Sequence, residues 1–212
     1  MKCLLVAGGT VSRKQLLEMY EQMQHPFTVG VDHGTIVLTE AGIKVDMAIG
    51  DFDSVTDSEK DTLKNVEVVE ELNPVKDDTD TEHAVRYIAE KNFDEVVLMG
   101  CTGTRLDHTM DSIFILKILS EKDINAYILD TNNKIYIRKG MITFNKESLF
   151  GKYISILPYS ADTLVSEIRG FKYNADNLQL IRESGRGISN ELPGESGYIK
   201  TDDYIIIMET KD

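Results

Sequence analysis

The sequence predicts a mixed α/β protein, in which a mostly parallel sheet covered by helices is followed by an antiparallel β-sandwich. Up to Thr131, short apolar segments rich in Val, Ile and Leu alternate with helical patterns. Beyond it, period-2 segments follow one another with turn residues between them. With 212 residues, 42% of them hydrophobic, the chain is long enough to bury a substantial core. We therefore expect two domains, at 1–131 and 132–212.

The first domain begins with a buried strand and continues as strand–helix alternation. Strands are expected at 3–7, 28–31, 47–49, 66–69, 95–99 and 126–129, because these segments are short and apolar, as parallel strands buried on both faces are. Helical patterns between them predict helices over 13–22, 35–41, 57–64, 80–91 and 107–122. The helix from Asp80 has the clearest start, since Thr79 and Glu82 form a capping box.

The second domain is predicted to be β-structure throughout. Strands are expected at 134–138, 141–144, 153–157, 164–169, 178–181, 197–201 and 204–208. Turn residues separate them, among them Gly140, Pro158 and Gly170. Several short strands at this spacing are typical of an antiparallel sandwich.

The charge balance excludes two classes of partner. Acidic residues number 36 and basic residues 23, which gives a net charge of −13. Proteins that bind duplex nucleic acid or anionic membranes by charge present a basic face, so neither partner is expected. The apolar start of the chain is shorter than the roughly 7–15 residues of a signal-peptide core. Cys3 and Cys101 are too few for a disulfide framework or a metal cluster. A cytoplasmic protein is expected.

Glycines and charged residues follow the predicted parallel strands. Ligands of open α/β sheets bind beyond the carboxyl ends of the strands, so these residues are expected to share one site. In chain order they are Gly8 and Gly9, Asp32, Asp51 and Asp53, Asp77 and Asp80, and then Gly103, Arg105 and Asp107. Backbone N–H groups and arginine suit phosphate, and carboxylates suit a hard cation. The set therefore predicts a site for a nucleoside triphosphate with Mg²⁺.

The carboxylates have a simpler interpretation that stays open. Asp53 could cap the next helix, and Asp80 and Glu82 carry favourable charge for a helix N-terminus. Five carboxylates close together would repel one another without a cation, however, and this favours a divalent-metal site; they are those of Asp51, Asp53, Asp77, Asp78 and Asp80. Likewise the segment 102–108 is either a phosphate-binding loop with Arg105 or an ordinary βα turn capped by Asp107. It matches neither the P-loop nor the dinucleotide fingerprint.

Taken together, these segments resemble bacterial thiamine pyrophosphokinases over the whole chain. The resemblance is carried by 50–54 (GDFDS), 76–82 (KDDTDTE) and 102–108 (TGTRLDH), with 7–9 (AGG), 32–34 (DHG), 170–174 (GFKYN) and 189–190 (SN). It implies transfer of the β,γ-pyrophosphoryl group of ATP to thiamine, giving thiamine diphosphate and AMP. It also implies a nucleotide domain followed by a β-sandwich, in a homodimer that binds thiamine between subunits.

The resemblance also implies a role for each matching residue. Asp51, Asp53 and Asp80 would hold Mg²⁺, with Asp77 as an accompanying acid. The nucleotide and its phosphates would be lined by Gly8, Gly9, Asp32, Gly103, Arg105 and Asp107. Thiamine would be held by Tyr173, Ser189 and Asn190, and a tyrosine face suits this cation.

Two other functions remain open at the level of sequence. The segment 51–55 (DFDSV) also fits the haloacid dehalogenase pattern, in which Asp51 would be a nucleophile that forms an aspartyl phosphate. That motif normally follows the first strand of its domain, whereas here it follows the third predicted strand. The second alternative is a non-catalytic dimer that binds thiamine.

Overall fold

The computed structural model describes residues 1–50, 66, 68–71, 78–160 and 162–212. The chain divides into two compact units, Met1–Thr131 and Asn132–Asp212. In the part of the chain that is described, no helix is both long and apolar enough to cross a membrane.

The first unit is a parallel sheet accompanied by helices. Its described strands are β1 (Lys2–Val6), β2 (Phe27–Val31), β3 (Met47–Gly50), β4 (Val68–Glu71), β5 (Glu95–Met99) and β6 (Asn125–Leu129). Its described helices are α1 (Arg13–Gln22), α2 (His33–Glu40), α3 (Asp80–Ala89) and α4 (Leu106–Glu121). The strand order is β6-β5-β1-β2-β3-β4, and every neighbouring pair is parallel. Because β1 lies in the middle, the loops after β1, β2 and β5 meet at one edge of the sheet.

Local sequence explains where the helices begin. Ser12 caps α1 by accepting a hydrogen bond from the Gln15 backbone N–H at 3.4 Å. Thr79 caps α3 by accepting one from the Glu82 N–H at 3.1 Å, as predicted. The Glu82 carboxylate itself accepts hydrogen bonds from Arg86, one turn later. The capping box is therefore present through its threonine, while its glutamate forms an ion pair along the helix.

The second unit is antiparallel. Its strands are β7 (Asn133–Asn145), β8 (Tyr153–Pro158), β9 (Thr163–Arg169), β10 (Ala175–Leu180), β11 (Asn190–Glu191) and β12 (Ser196–Thr210). Strand β12 pairs with β7 along its length, with β9 near its start and with β8 near its end. Strands β10 and β11 extend these pairings from β9 and β8 respectively. A core of buried Ile, Leu, Val and Phe residues lies inside the unit.

Two predicted breaks in the second unit are wrong. The expected turn at Gly140 is a point within the continuous strand β7, and the strands expected at 197–201 and 204–208 form the single strand β12. The register between β7 and β12 shifts between Thr201 and Ile205, opposite Gly140. Gly140 has φ +87°. The glycine therefore accommodates a bulge-like irregularity in the pairing rather than ending the strand.

A buried carboxylate ties β7 to β12. Glu209 is 4% exposed and accepts hydrogen bonds from the Tyr136 hydroxyl at 2.8 Å and the Phe150 N–H at 2.7 Å. Burial, and then the neighbouring Glu209 carboxylate, raise the pKa of Tyr136 well above its usual value. The phenol consequently remains the donor that satisfies this carboxylate.

Tyr136→Phe is expected to lower the free energy of unfolding by about 1–3 kcal/mol, because a buried carboxylate loses one of its donors. The raised pKa of Tyr136 means that its contribution is complete below about pH 10 and is lost at higher pH. Denaturant titrations at neutral and alkaline pH measure both effects, and the variant should lose less stability than the parent as pH rises.

Tyr198→Phe provides the matched control. Its hydroxyl donates at the same 2.8 Å distance, but to the half-buried Glu167. A cost equal to that of Tyr136→Phe would mean that burial of Glu209 adds nothing to the Tyr136 hydrogen bond.

Candidate functional site

A cleft of about 630 Å³ lies at the carboxyl ends of the strands in the first unit. This volume falls within the usual range of small-molecule sites. The sequence-predicted residues Gly8, Gly9, Asp32, Asp80, Gly103 and Arg105 all line it. Strand–helix alternation therefore brings together residues that are as much as 97 positions apart in the chain.

The loops after β1 and β5 are joined so closely that only glycine fits between them. The Gly9 N–H donates to the Gly100 carbonyl at 2.7 Å, and the Thr10 N–H donates to the Thr102 carbonyl at 2.8 Å. A Cβ on Gly9 would lie 2.4 Å from the Gly100 oxygen. At Gly8 it would meet only the His33 Cβ, at an ordinary 3.5 Å. Gly9 thus has a packing role, whereas Gly8 leaves open space in the cleft.

Asp32 lies where β2 ends and connects two strand ends. Its backbone has φ +49° and ψ −123°, and its N–H donates to the Ile49 carbonyl at 3.0 Å. A Cβ on Gly50 would lie 1.9 Å from the Asp32 Oδ1 atom. Gly50 itself has φ +154°. The Asp32 carboxylate is therefore packed against the last residue of β3 as well as lining the cleft.

Asp80 is the first residue of α3 and places its carboxyl group at the helix N-terminus. The adjacent Thr79 hydroxyl donates to Asp111 Oδ2 at 3.0 Å, which links the start of α3 to α4. Asp80 and Asp111 both line the cleft. Two carboxylates from two helices thus supply oxygen atoms of the kind that bind Mg²⁺.

Arg105 and Asp107 form a bidentate ion pair at the start of α4. The Arg105 Nη2 atom lies 2.6 Å from Asp107 Oδ2, and its Nε donates to Oδ1 at 3.3 Å. Both side chains are about two-thirds exposed, at 68% and 66%. The hydrogen bonds between them raise the pKa of Arg105 and lower the pKa of Asp107. Arg105 lines the cleft, whereas Asp107 lies outside the lining and holds the guanidinium.

Three predicted residues, Asp51, Asp53 and Asp77, lie outside the described residues, as does the predicted helix 57–64. Among residues 1–50, 66 and 78–212 apart from 161, no cluster of three or more His, Cys, Asp or Glu side chains could hold a metal ion. Of the three predicted metal ligands, only Asp80 can be placed.

The second unit has a cleft of its own, of about 230 Å³. Tyr173 and Asn190 line it, in a setting of mostly isoleucine and other apolar side chains. The Asn190 carboxamide holds the backbone of Tyr173 from both sides: its Oδ1 accepts from the Tyr173 N–H at 3.0 Å, and its Nδ2 donates to the Tyr173 carbonyl at 2.8 Å. The Tyr173 side chain remains 61% exposed. Asn190 therefore fixes the backbone from which this exposed aromatic ring projects.

Ser189 differs from the other two predicted thiamine-binding residues, because it is not part of the lining. Its backbone has φ +57°, and its N–H donates to the Ser155 hydroxyl at 3.0 Å. This bond attaches the segment before β11 to β8.

Sequence reasoning assigned no site role to several residues that line the two clefts. In the first unit these include Thr81, Cys101, His108, Thr109, Asp111 and Ser112. On α4, His108, Thr109 and Ser112 follow Arg105 by three, four and seven positions, and Asp111 follows His108 by three, so helical periodicity could have identified them. Burial raises the pKa of the Cys101 thiol to about 12, which makes it a poor nucleophile. In the second unit, Arg186 was missed because it lies in an irregular loop without periodicity.

The chain matches two family models in succession. Residues 20–128 match "Thiamin pyrophosphokinase, catalytic domain", and residues 139–206 match "Thiamin pyrophosphokinase, vitamin B1 binding domain". The chain belongs to the thiamin pyrophosphokinase family. The first match falls within the first unit and contains Asp32, Asp80 and Arg105, and the second contains Tyr173 and Asn190.

Individual members of the family are similar over nearly the full length. The thiamine pyrophosphokinase of Bacillus subtilis (strain 168) is 33% identical over 206 residues, which are 96% of this chain and 95% of that protein. The crystal structure of thiamine pyrophosphokinase from Bacillus subtilis has a TM-score of 0.87 at 29% identity, with both chains covered completely. That from Geobacillus thermodenitrificans has a TM-score of 0.84 at 30% identity, covering 100% of this chain and 98% of that one.

Proposed function

We propose that this protein transfers the β,γ-pyrophosphoryl group of ATP to the hydroxyl oxygen of thiamine, giving thiamine diphosphate and AMP. The observation that carries the proposal is the strand-end cleft of the first unit, which combines a glycine loop, an arginine and carboxylates within a match to the catalytic domain. Phosphoryl-type transfer to an alcohol depends on positioning and charge neutralisation rather than on a covalent protein nucleophile. These are the functions that the cleft residues can perform.

The first unit, 1–131, would bind ATP. The backbone around Gly8 and Gly103 would let phosphate groups approach closely, and Arg105 would contact them through its planar guanidinium. Asp107 would keep that guanidinium in place through the ion pair described above. Asp32 would line the nucleotide side while fixing the end of β3.

Mg²⁺ fits the donor type of this cleft, since Asp80 contributes a carboxylate that lies on its wall. Asp51 and Asp53 would complete the ligand set with Asp80, and Asp77 would lie beside them as an accompanying acid. When bound, the ion would supply positive charge to the polyphosphate. The protein would contribute by holding these aspartate side chains at the edge of the sheet where the strands have their carboxyl ends.

The second unit, 132–212, would bind thiamine. Tyr173 would offer its ring face to the cation, and Asn190 would hold the backbone that carries this ring. Ser189 would act through its attachment to β8.

We further propose a β-sandwich arrangement for this unit, a homodimer with thiamine bound at the subunit interface, and a cytoplasmic location.

One assay separates this function from its alternatives. The protein is incubated with ATP, thiamine and Mg²⁺, and the products are resolved by chromatography. Thiamine diphosphate and AMP in equal amounts are expected. Phosphate release with a phosphorylated Asp51 would indicate a haloacid dehalogenase-type hydrolase. Thiamine binding without any turnover of ATP would indicate a non-catalytic dimer.

Arg105→Lys is expected to lower kcat/KM for ATP by about tenfold or more, because lysine keeps the charge but loses the planar guanidinium that would make a bidentate contact with phosphate. Steady-state kinetics with varied ATP measures this. Arg86→Lys is the matched control, since Arg86 forms a similar pair with Glu82 at 2.6 and 2.9 Å but does not line the cleft. An unchanged kcat/KM in Arg105→Lys would remove Arg105 from the phosphate site.

A further inference from the structure

The cleft of the second unit is lined by an arginine whose guanidinium has no protein partner among the described residues. Four arginines belong to this unit, and three of them donate to backbone carbonyls: Arg138 to Ile137, Arg169 to Ile168 and Ala175, and Arg182 to Tyr159. Within the described residues, the Arg186 guanidinium has neither an ion pair nor a hydrogen bond. Arg186 nevertheless lines the same cleft as Tyr173.

The backbone beside Arg186 is fixed, so the position of this arginine is built into the fold. The Gly187 carbonyl accepts from the Ile156 N–H at 2.8 Å, and a Cβ on Gly187 would lie 2.1 Å from the Ile156 oxygen. The Arg186 N–H itself donates to the Ser184 hydroxyl at 3.3 Å. The loop is thereby held against β8, and the freedom that remains belongs to the Arg186 side chain.

Arg186 is the only charged residue among the described residues that line this cleft. The other polar side chains there are already engaged: Asn174 Oδ1 accepts from the Phe171 N–H at 3.2 Å, and the Asn190 carboxamide holds Tyr173. A cleft of apolar walls, two aromatic side chains (Phe171 and Tyr173) and one available guanidinium suits a ring-containing ligand that carries an anionic group. Thiamine itself is a cation and would be repelled by Arg186, whereas its diphosphate reverses that interaction.

We propose that Arg186 binds the phosphate groups of thiamine diphosphate, so that this cleft retains the phosphorylated product more tightly than thiamine. The identity of the ligand rests on the proposed function, in which thiamine diphosphate is the product. Arg186 is then a residue that distinguishes the two forms of one molecule by charge, while Tyr173 contacts the part they share. Product release is slowed by the same contact.

Calorimetric titrations without ATP or metal test this with three ligands: thiamine, thiamine diphosphate and AMP. The parent protein should bind thiamine diphosphate more tightly than thiamine. Arg186→Gln should weaken the binding of thiamine diphosphate by about tenfold or more, the scale of a lost charge-assisted contact. The affinity for thiamine should be unchanged or slightly higher. AMP affinity should stay constant, since a loss there would show that Arg186 serves the nucleotide instead.

Arg182→Gln is the matched control, because it removes the same charge from the same loop while Arg182 is not part of the cleft lining. An equal loss in this variant, equal losses for thiamine and its diphosphate in Arg186→Gln, or no binding of either ligand to the parent protein would overturn the assignment.

The product assay with ATP and thiamine is read separately. Thiamine diphosphate formation with no effect of Arg186→Gln on binding would refute the role of Arg186 and leave the proposed function intact. If Arg186→Gln weakened binding of thiamine diphosphate as expected but the parent protein formed no AMP, the proposed function would be refuted and the role of Arg186 would stand.

Discussion

Asp80→Asn is expected to reduce AMP formation by roughly 100-fold or more, the scale of losing one electrostatic contact to the transferring group. Asp80 lines the cleft from the first position of α3, and it is the one proposed Mg²⁺ ligand among the described residues. Replacing the carboxylate with an amide retains its size and removes its charge. The free energy of unfolding should change little, because relief of repulsion on the acidic edge offsets the lost helix-terminus charge, worth about 0.3–1 kcal/mol.

Glu82→Gln separates the role of Asp80 in the cleft from its role in the helix. Both residues are acidic and lie in the first turn of α3, but Glu82 pairs with Arg86 and does not line the cleft. The two variants therefore remove the same charge from the same helix N-terminus. We expect near-normal turnover and Mg²⁺ affinity for Glu82→Gln, measured by the product assay and by calorimetric Mg²⁺ titration. If Asp80→Asn retained both properties as well, Asp80 would have to be removed from the proposed ligand set.

The fold of the first unit was predictable because its signals are local. Buried parallel strands appear as short Val, Ile and Leu segments, and the strand expected at 95–99 has those bounds in the structure. Helix starts follow from capping, as Thr79 illustrates. Strand continuity in the second unit was harder, since Gly140 has the same sequence signal in a turn and in a bulge. Only the partner strand, which is distant in sequence, decides between them.

The site was predictable to the extent that topology determines it. Residues that follow parallel strands share an edge of the sheet, so Gly8, Asp32 and Arg105 could be placed together in advance. Side-chain partners could not, because they depend on rotamers and on packing between elements. The pairing of Arg105 with Asp107, and the support of Tyr173 by Asn190, are examples. The role of Arg186 could not be predicted either. That its guanidinium is available to a ligand becomes apparent only once the partners of the other arginines in the unit are known.

Tyr173→Ala is expected to raise KM for thiamine by about 2- to 30-fold, which corresponds to a loss of roughly 0.5–2 kcal/mol of cation–π attraction. KM for ATP should remain nearly constant, because Tyr173 belongs to the vitamin B1 binding match and to the cleft of the second unit. The Asn190 contacts are made with the Tyr173 backbone, so alanine preserves them. With a side chain that is 61% exposed, its removal should lower the melting temperature only slightly.

Further variants distinguish stacking on thiamine from packing at the rim of the unit. Tyr173→Phe and Tyr173→Trp keep an aromatic face and should retain most of the affinity for thiamine. Tyr153→Ala is a matched control, because Lys152 lies 4.8 Å from the Tyr153 ring centroid much as Lys172 lies 5.5 Å from that of Tyr173, yet Tyr153 does not line the cleft. Its KM for thiamine should stay close to that of the parent. Equal losses for thiamine and ATP in Tyr173→Ala, or a large fall in its melting temperature, would assign Tyr173 to packing, because a ring that only contacts thiamine changes neither ATP binding nor the core.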